Sequence, residues 1–207
     1  MSLSFLHAES AAAGDPGQLP GHDADTTGTW RGMRRLRAPE CPAGGPRIQL
    51  LGACGAIHRV LEAQRLLASD WGVHADVWSV SSWSELLRDA LDADGARLHG
   101  ADRTPYVTAA LSGAPGPVLA VSDGMREGPD QISPWVEQDY ASLGTDDLGP
   151  HSDRDAVQPS SPVDAHSIVV TALHRLRRTG AVDPETVVNA RARYGRRGDR
   201  PVQHPSS

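Results

Sequence analysis

The stretch Arg47-Ile-Gln-Leu-Leu-Gly-Ala-Cys-Gly55 decides the fold class of this chain. Its first five residues make a short run of the kind that forms a buried strand, and Gly52 closes it. Ile57, Val60, Leu61 and Leu67 then recur at helical spacing, so the stretch predicts a strand, a tight turn and a helix. The alternation continues downstream. Residues 73–80 are β-rich, and Ser82-Trp83-Ser84-Glu85 has the form of a capping box, in which serine and glutamate satisfy each other's orphan amides. Trp83, Leu86, Leu87, Ala90 and Leu91 give the inward stripe of a second helix. Thr104-Pro105 suits the N-cap and first position of a short helix over 106–112, with Val107, Ala110 and Leu111 inward, and Pro115-Gly116-Pro117 stops it.

Val118–Val121 and Tyr140–Leu143 read as a third and a fourth strand, with a short helix around residues 131–136 between them. Asp164 caps a helix carrying Ile168, Val169, Ala172, Leu173 and Leu176, which Gly180 ends. Asp183-Pro184 starts a last helix, with Val187, Val188 and Tyr194 inward and Gly195 after it. Strands alternating with helices imply a mostly parallel sheet covered on both faces by right-handed crossovers. The expected architecture is an α/β fold, a three-layer α/β/α sandwich over residues 47–195, preceded by an irregular arm (1–46) and followed by an Arg-rich, disordered tail (196–207).

Composition narrows the chemistry. Of 207 residues, 39% are hydrophobic and only 4% aromatic, so the core is built from Leu, Val, Ile and Ala rather than from rings. All 20 basic residues are arginine, which excludes a Schiff-base lysine, a Walker-type phosphate loop and a lysine general base. A formal charge of −6 argues against nucleic acid and anionic membranes as partners, with the stretch from Arg191 to Arg200 as the local exception. No apolar run approaches the roughly 18 residues of a membrane span. The first residues lack the basic and apolar regions of a secretory signal, and Cys41 and Cys54 make no disulfide framework. Both features favour a reducing, cytoplasmic setting.

Candidate sites are few. Gly52-Ala53-Cys54-Gly55 stands where a nucleotide-binding α/β protein places its phosphate loop, yet it lacks the three-glycine fingerprint, and the following strand ends in Ser79-Val80-Ser81 without the acidic residue. Cys54 sits at a helix start, where a thiol gains acidity, but no histidine can be assigned as its base. Nine histidines show no metal-ligand spacing. The acidic run from Thr145 to Asp155 lacks the alternating carboxylates and terminal Glu of a calcium loop and reads as a solvated or interface loop. No G-x-S-x-G elbow occurs.

Taken together and in order, Arg31-Gly-Met, Ile48-Gln-Leu-Leu-Gly, Asp76-Val-Trp-Ser-Val-Ser-Ser-Trp-Ser-Glu-Leu, Thr104-Pro-Tyr-Val, Ala120-Val-Ser-Asp, Pro129-Asp-Gln-Ile, Trp135-Val, Asp139-Tyr, Ser142-Leu-Gly-Thr-Asp and Val163-Asp-Ala resemble the C-terminal domain of homodimeric-type pyruvate dehydrogenase. The resemblance implies a transketolase C-terminal-like module. The full-length family decarboxylates pyruvate on thiamine diphosphate and passes acetyl to a lipoyl group. There, thiamine diphosphate and Mg²⁺ are held by two other domains, the metal by a Gly-Asp-Gly motif that this chain does not contain.

The resemblance therefore carries over no catalytic, cofactor-binding or metal-binding residue, and no cofactor is expected in this chain. It implies a homodimer, or a companion chain bearing the thiamine-binding domains. The isolated chain is expected not to catalyse. A non-enzymatic dimerisation or partner-binding module is the alternative. The expected interface loop is Gly144, Thr145, Asp146, Asp147, Leu148 and Gly149. Three places depart from the family pattern: Asp123-Gly124-Met125 stands for Asp-Tyr-Met, the 144–152 loop has lost its aromatic and its arginine, and Gln158-Pro159-Ser160-Ser161-Pro162 replaces a helical stretch, which two prolines cannot continue.

Overall fold

The computed structural model describes residues 31–38, 44–145 and 163–194. Five strands form one sheet: β1 (Met33–Arg37), β2 (Arg47–Ala53), β3 (His74–Val80), β4 (Val118–Val121) and β5 (Tyr140–Leu143). Their spatial order is β1-β3-β2-β4-β5. β2 pairs in parallel with β3 on one side (Gln49 opposite Asp76) and with β4 on the other (Leu51 opposite Ala120), and β4 pairs in parallel with β5. Only β1 runs antiparallel, along β3.

The helices are α1 (Ile57–Trp71), α2 (Trp83–Leu98), α3 (Tyr106–Leu111), α4 (Glu127–Asp130), α5 (Ala165–Arg178) and α6 (Pro184–Tyr194). Alternation along the strands sends side chains to two cores. Ile48, Leu50, Ala75, Val77, Leu119 and Val121 meet α1, α5 and α6 on one face. Leu51, Trp78, Val80, Val118 and Ala120 meet Leu86 of α2 and Val107 and Leu111 of α3 on the other. This is the three-layer α/β/α sandwich that the pattern implies. Each fully buried Leu or Ile contributes roughly 1.5–3 kcal/mol by leaving water, and with few rings the core depends on many such side chains.

Several expectations are corrected. The arm over 1–46 is not irregular throughout, because residues 33–37 form β1, with Met33 fully buried. An arginine-rich edge strand carries no apolar run, and its conformation is set by pairing with β3; the sheet thus begins before residue 47. The helix around 131–136 is instead α4, followed by a 3-10 turn over Ser133–Trp135, since Pro134 can sit only in a first turn. Val188 is 63% exposed because Val187, Ala190 and Tyr194 define the inward stripe of α6; Leu91 is likewise exposed, at the margin of α2.

The caps differ in kind. Asp164 accepts from the Ser167 amide (2.7 Å) while the Asp164 amide donates to Ser167 Oγ, a complete capping box. Ser82 Oγ accepts from the Glu85 amide, but the Glu85 carboxylate turns to Arg88. The start of α3 is capped from afar: Asp89 of α2 accepts the Tyr106 N–H (2.6 Å) and a guanidinium hydrogen of Arg103 (2.5 Å).

A buried polar chain joins the sheet. Trp78 Nε1 donates to Gln49 Oε1 (2.9 Å), and Gln49 Nε2 donates to Asp76 Oδ2 (3.2 Å) and to the Pro115 carbonyl (3.0 Å). Asp76 is fully buried, and Arg35 of β1 donates to the same oxygen at 2.8 Å. Beside it, Gly116 has φ +85°, and a Cβ there would lie 1.7 Å from the Arg47 carbonyl oxygen, so only glycine lets the turn before β4 close against β2.

α6 is fixed to α1 by Tyr194, whose hydroxyl donates to Asp70 while its ring stacks on His166 with centroids 4.7 Å apart; Arg193 pairs with the same carboxylate at 2.9 Å. The hydrogen bond from Tyr194, then that from Ser69, hold the Asp70 carboxyl below its ordinary pKa, and burial first, then the bond to Asp70, pushes the Tyr194 phenol up.

Two outcomes follow. Asp76→Ala is expected to lower stability by about 2–4 kcal/mol, and Arg35→Ala, at a half-exposed position, by about 1–3 kcal/mol, because it leaves the buried Asp76 carboxylate with Arg47, at 3.8 Å, as its remaining cation; denaturant midpoints measure both. The stability difference between the native chain and Tyr194→Phe should be constant near neutrality. It should shrink as pH falls through the lowered Asp70 pKa, where the carboxylate is lost, and again as pH rises past the ordinary tyrosine range, where the unfolded state releases its phenolic proton first. Unfolding curves across pH would show it.

Candidate functional site

Open α/β sheets take ligands outside the carboxyl ends of the strands, where the chain switches from one side of the first strand to the other. In this sheet that point lies between β2 and β4. Cys54 and Gly55 follow β2, Ser122, Asp123 and Gly124 follow β4, and Gly144 and Thr145 follow β5. Ser122 Oγ accepts from the Gly124 amide (3.1 Å), the Ser122 amide donates to the Leu143 carbonyl (2.9 Å), and the Thr145 amide donates to the Gly124 carbonyl (2.9 Å). Two of the six expected interface-loop residues, Gly144 and Thr145, are thus drawn to the crevice. Asp146, Asp147, Leu148 and Gly149 lie outside the described residues, as do Cys41, the 158–162 segment and the tail.

The decisive geometry is the approach of Asp123 to Gly55. A Cβ on Gly55 would stand 1.9 Å from Asp123 Oδ2, so the carboxylate lies directly over the glycine. It sits beside the turn that leads into α1, where a helix start favours negative charge. A phosphate would meet that same negative charge, which disfavours the phosphate cradle that the position in the fold suggests. Cys54 is exposed, with its thiol donating weakly to the Val80 carbonyl at 3.6 Å.

The other polar groups are engaged in holding elements together. Arg175 of α5 donates to Asp139 (2.5 Å) and to the Tyr140 carbonyl (2.8 Å) at the start of edge strand β5. Tyr140 donates to the Pro129 carbonyl (2.6 Å), and Ser142 bonds Asp130, tying α4 to the same strand. Burial first, then the Asp130 carboxylate, pushes the Tyr140 phenol far up, so it stays protonated. A depression lined by Arg31, Glu85, Arg88, Asp89, Asp92 and Arg103 matches three arginines with three carboxylates and offers neither charge in excess. Neither Asp123 over Gly55 nor Asp89 capping α3 is visible in sequence, since each joins residues from separate elements with no local pattern.

A family model described as the transketolase-like TK C-terminal domain matches residues 32–161. The chain belongs to this family. It is similar to the pyruvate dehydrogenase E1 component of Mycolicibacterium smegmatis, with 42% identity over 186 residues, which is 87% of this chain and 20% of that protein. The E1 component of Mycobacterium tuberculosis is 42% identical over 173 residues (82% and 18%), and that of Escherichia coli K12 is 35% identical over 171 residues (81% and 19%). The chain spans about a fifth of the length of these relatives. The resemblance read from the ordered motifs and the three-layer fold both stand.

The resemblance attaches a magnesium ion and thiamine diphosphate to the full-length family, and two features of the described residues bear on them. Among those residues no group of three or more His, Cys, Asp or Glu side chains comes together to hold a metal, and the crevice at the strand ends carries a carboxylate of its own. Among the described residues no helix is long and apolar enough to cross a membrane.

Gly55→Ala is expected to swing the exposed Asp123 carboxylate aside at a cost below about 1 kcal/mol, which adding Asp123→Ala should remove. A double-mutant cycle on unfolding midpoints measures the coupling; additive effects would refute the contact.

Proposed function

We propose that this chain acts as the C-terminal domain of a pyruvate dehydrogenase E1-type assembly, and that it is not catalytic by itself. It contributes a folded platform to a homodimer, or to a complex with a companion chain that supplies the thiamine-binding domains, in the cytoplasm. In that assembly the reaction is decarboxylation of pyruvate on thiamine diphosphate with transfer of acetyl to a lipoyl group, and this domain's own side chains hold the platform together rather than touch substrate. The observation that carries the reading is the similarity to E1 components over 87% of this chain but only 20% of the relative. The Asp123 carboxylate over Gly55 also supports it, because it would repel a cofactor diphosphate placed at that crevice.

A second reading, a non-enzymatic dimerisation or partner-binding module, is favoured by Gly124 in place of the family's tyrosine at that same crevice. One pair of measurements separates the two. The purified chain should give no magnesium-dependent heat with thiamine diphosphate in calorimetry. Co-expressed with the M. smegmatis E1 component lacking its C-terminal fifth, it should co-purify and restore thiamine-dependent pyruvate turnover. Co-purification without turnover, or no association, would favour the module; tight cofactor binding by the chain alone would overturn both.

A further inference from the structure

α2 carries apolar side chains that its own chain does not cover. Leu87, Leu91 and Leu98 stand at i, i+4 and i+11, within an arc of about 40° on a regular helix. Leu87 packs in part against the core beneath, whereas Leu91 is 53% and Leu98 87% exposed. Beside this stripe, on the outward side, lie Arg88, Asp92 and Gly95. Arg88 is exposed and bonds Glu85 one turn earlier, and Asp92, which lines a depression with it, pairs with no described residue. The neighbouring Asp94 is engaged by Trp135 Nε1 (2.9 Å) and by Arg97. Gly95 weakens the helix relative to alanine and leaves open space on this side, since a Cβ there would meet nothing within 4 Å.

We propose that α2 is the contact surface of a homodimer, packed antiparallel against the α2 of a second copy about a two-fold axis level with Ala90. Ala90 lies near the middle of this 16-residue helix, so the two helices overlap along nearly their whole length, about 24 Å. In that register Arg88 of each copy stands level with Asp92 of the other, which gives two reciprocal ion pairs on one flank of the contact. On the other flank Leu87 and Leu91 of the two copies meet within one turn of each other, Leu98 lies over the first turn of the facing helix, and Gly95 leaves room for close approach. A parallel arrangement would set Arg88 against Arg88 and Asp92 against Asp92. Pairing along the free edge of β1 would set Arg34, Arg35 and Arg37 against their counterparts, so charge favours the antiparallel helix contact over both. The helix holds four carboxylates against two arginines, which disfavours an anionic membrane as the occupant. The inference rests on the homodimer form of the function proposed above and gives that form a surface.

Sedimentation equilibrium of the purified full chain is the test. A contact between two single helices is small, so a reversible dimer with a dissociation constant in the micromolar range is expected. Leu91→Glu, at an exposed position, should weaken it at least about tenfold, as should Arg88→Glu or Asp92→Arg alone. The double variant Arg88→Glu/Asp92→Arg restores opposite charges across the axis and should recover the native affinity, which a merely structural defect would not do. Val188→Glu, at an exposed apolar position of α6, should leave the dimer unchanged. Thermal unfolding checks each variant, with Leu91→Gln as the milder change if Leu91→Glu disturbs folding. The proposal is overturned if the chain stays monomeric through the micromolar range, if the Leu91 variants dimerise as tightly as the native chain, if the double variant does not recover, or if Val188→Glu loses as much. Pyruvate turnover with the truncated E1 component is a separate measurement: a dimer without turnover refutes the E1 reading alone, and turnover by a monomeric chain refutes this surface alone.

Discussion

One buried carboxylate holds four parts of the sheet in register. Asp76 lies on β3, and its Oδ2 gathers Arg35 from β1 and Gln49 from β2, while Gln49 also reaches the Pro115 carbonyl just before β4 and receives the Trp78 indole. A parallel sheet buried on both faces has strands that read almost uniformly apolar, so hydrophobic burial alone sets register weakly along them. A polar chain that works in only one alignment removes that freedom. The second oxygen, Oδ1, is buried and has no hydrogen-bond partner, so the carboxylate is retained at some cost in desolvation. With the strands so aligned, the switch between β2 and β4 brings Gly55 and Asp123 together at the opposite end of the sheet.

The two ends of the sheet thus have different characters. At the amino end, Asp76, Asp139 and their arginines form internal clamps, and Arg175 covers the outward Tyr140 carbonyl of β5, a group that an edge strand would otherwise offer to another chain. At the carboxyl end, the crevice that other α/β proteins use for phosphates carries the Asp123 carboxylate.

Sequence exposes what short-range pattern can encode. β2, β3, β4 and β5 are legible because their residues are apolar in runs of strand length, and α2 and α5 because stripe and cap agree. β1 escapes because Met33, Arg34, Arg35 and Leu36 acquire strand form only by pairing with β3, and arginines on an edge look like loop. The start of α3 shows a plausible local cap in Thr104, yet the amide goes to Asp89, a full helix away. The crevice was legible only as a position in the fold. Its filling by Asp123 follows from how β4 ends against the turn after β2, which no spacing reports.

The central place of β2 also bears on how the chain is made. Gln49 pairs with Asp76 on one side but with Val118 on the other, so one edge of this central, buried strand stays open until β4 has been synthesised. During that interval the nascent chain exposes a hydrophobic strand edge, flanked by helices that can already form, and long-range parallel pairing is slow to complete. The sheet's own topology therefore sets the moment of greatest aggregation risk. It lies in the span of translation between Val80 and Val121, which makes this the window in which a ribosome-associated chaperone matters most.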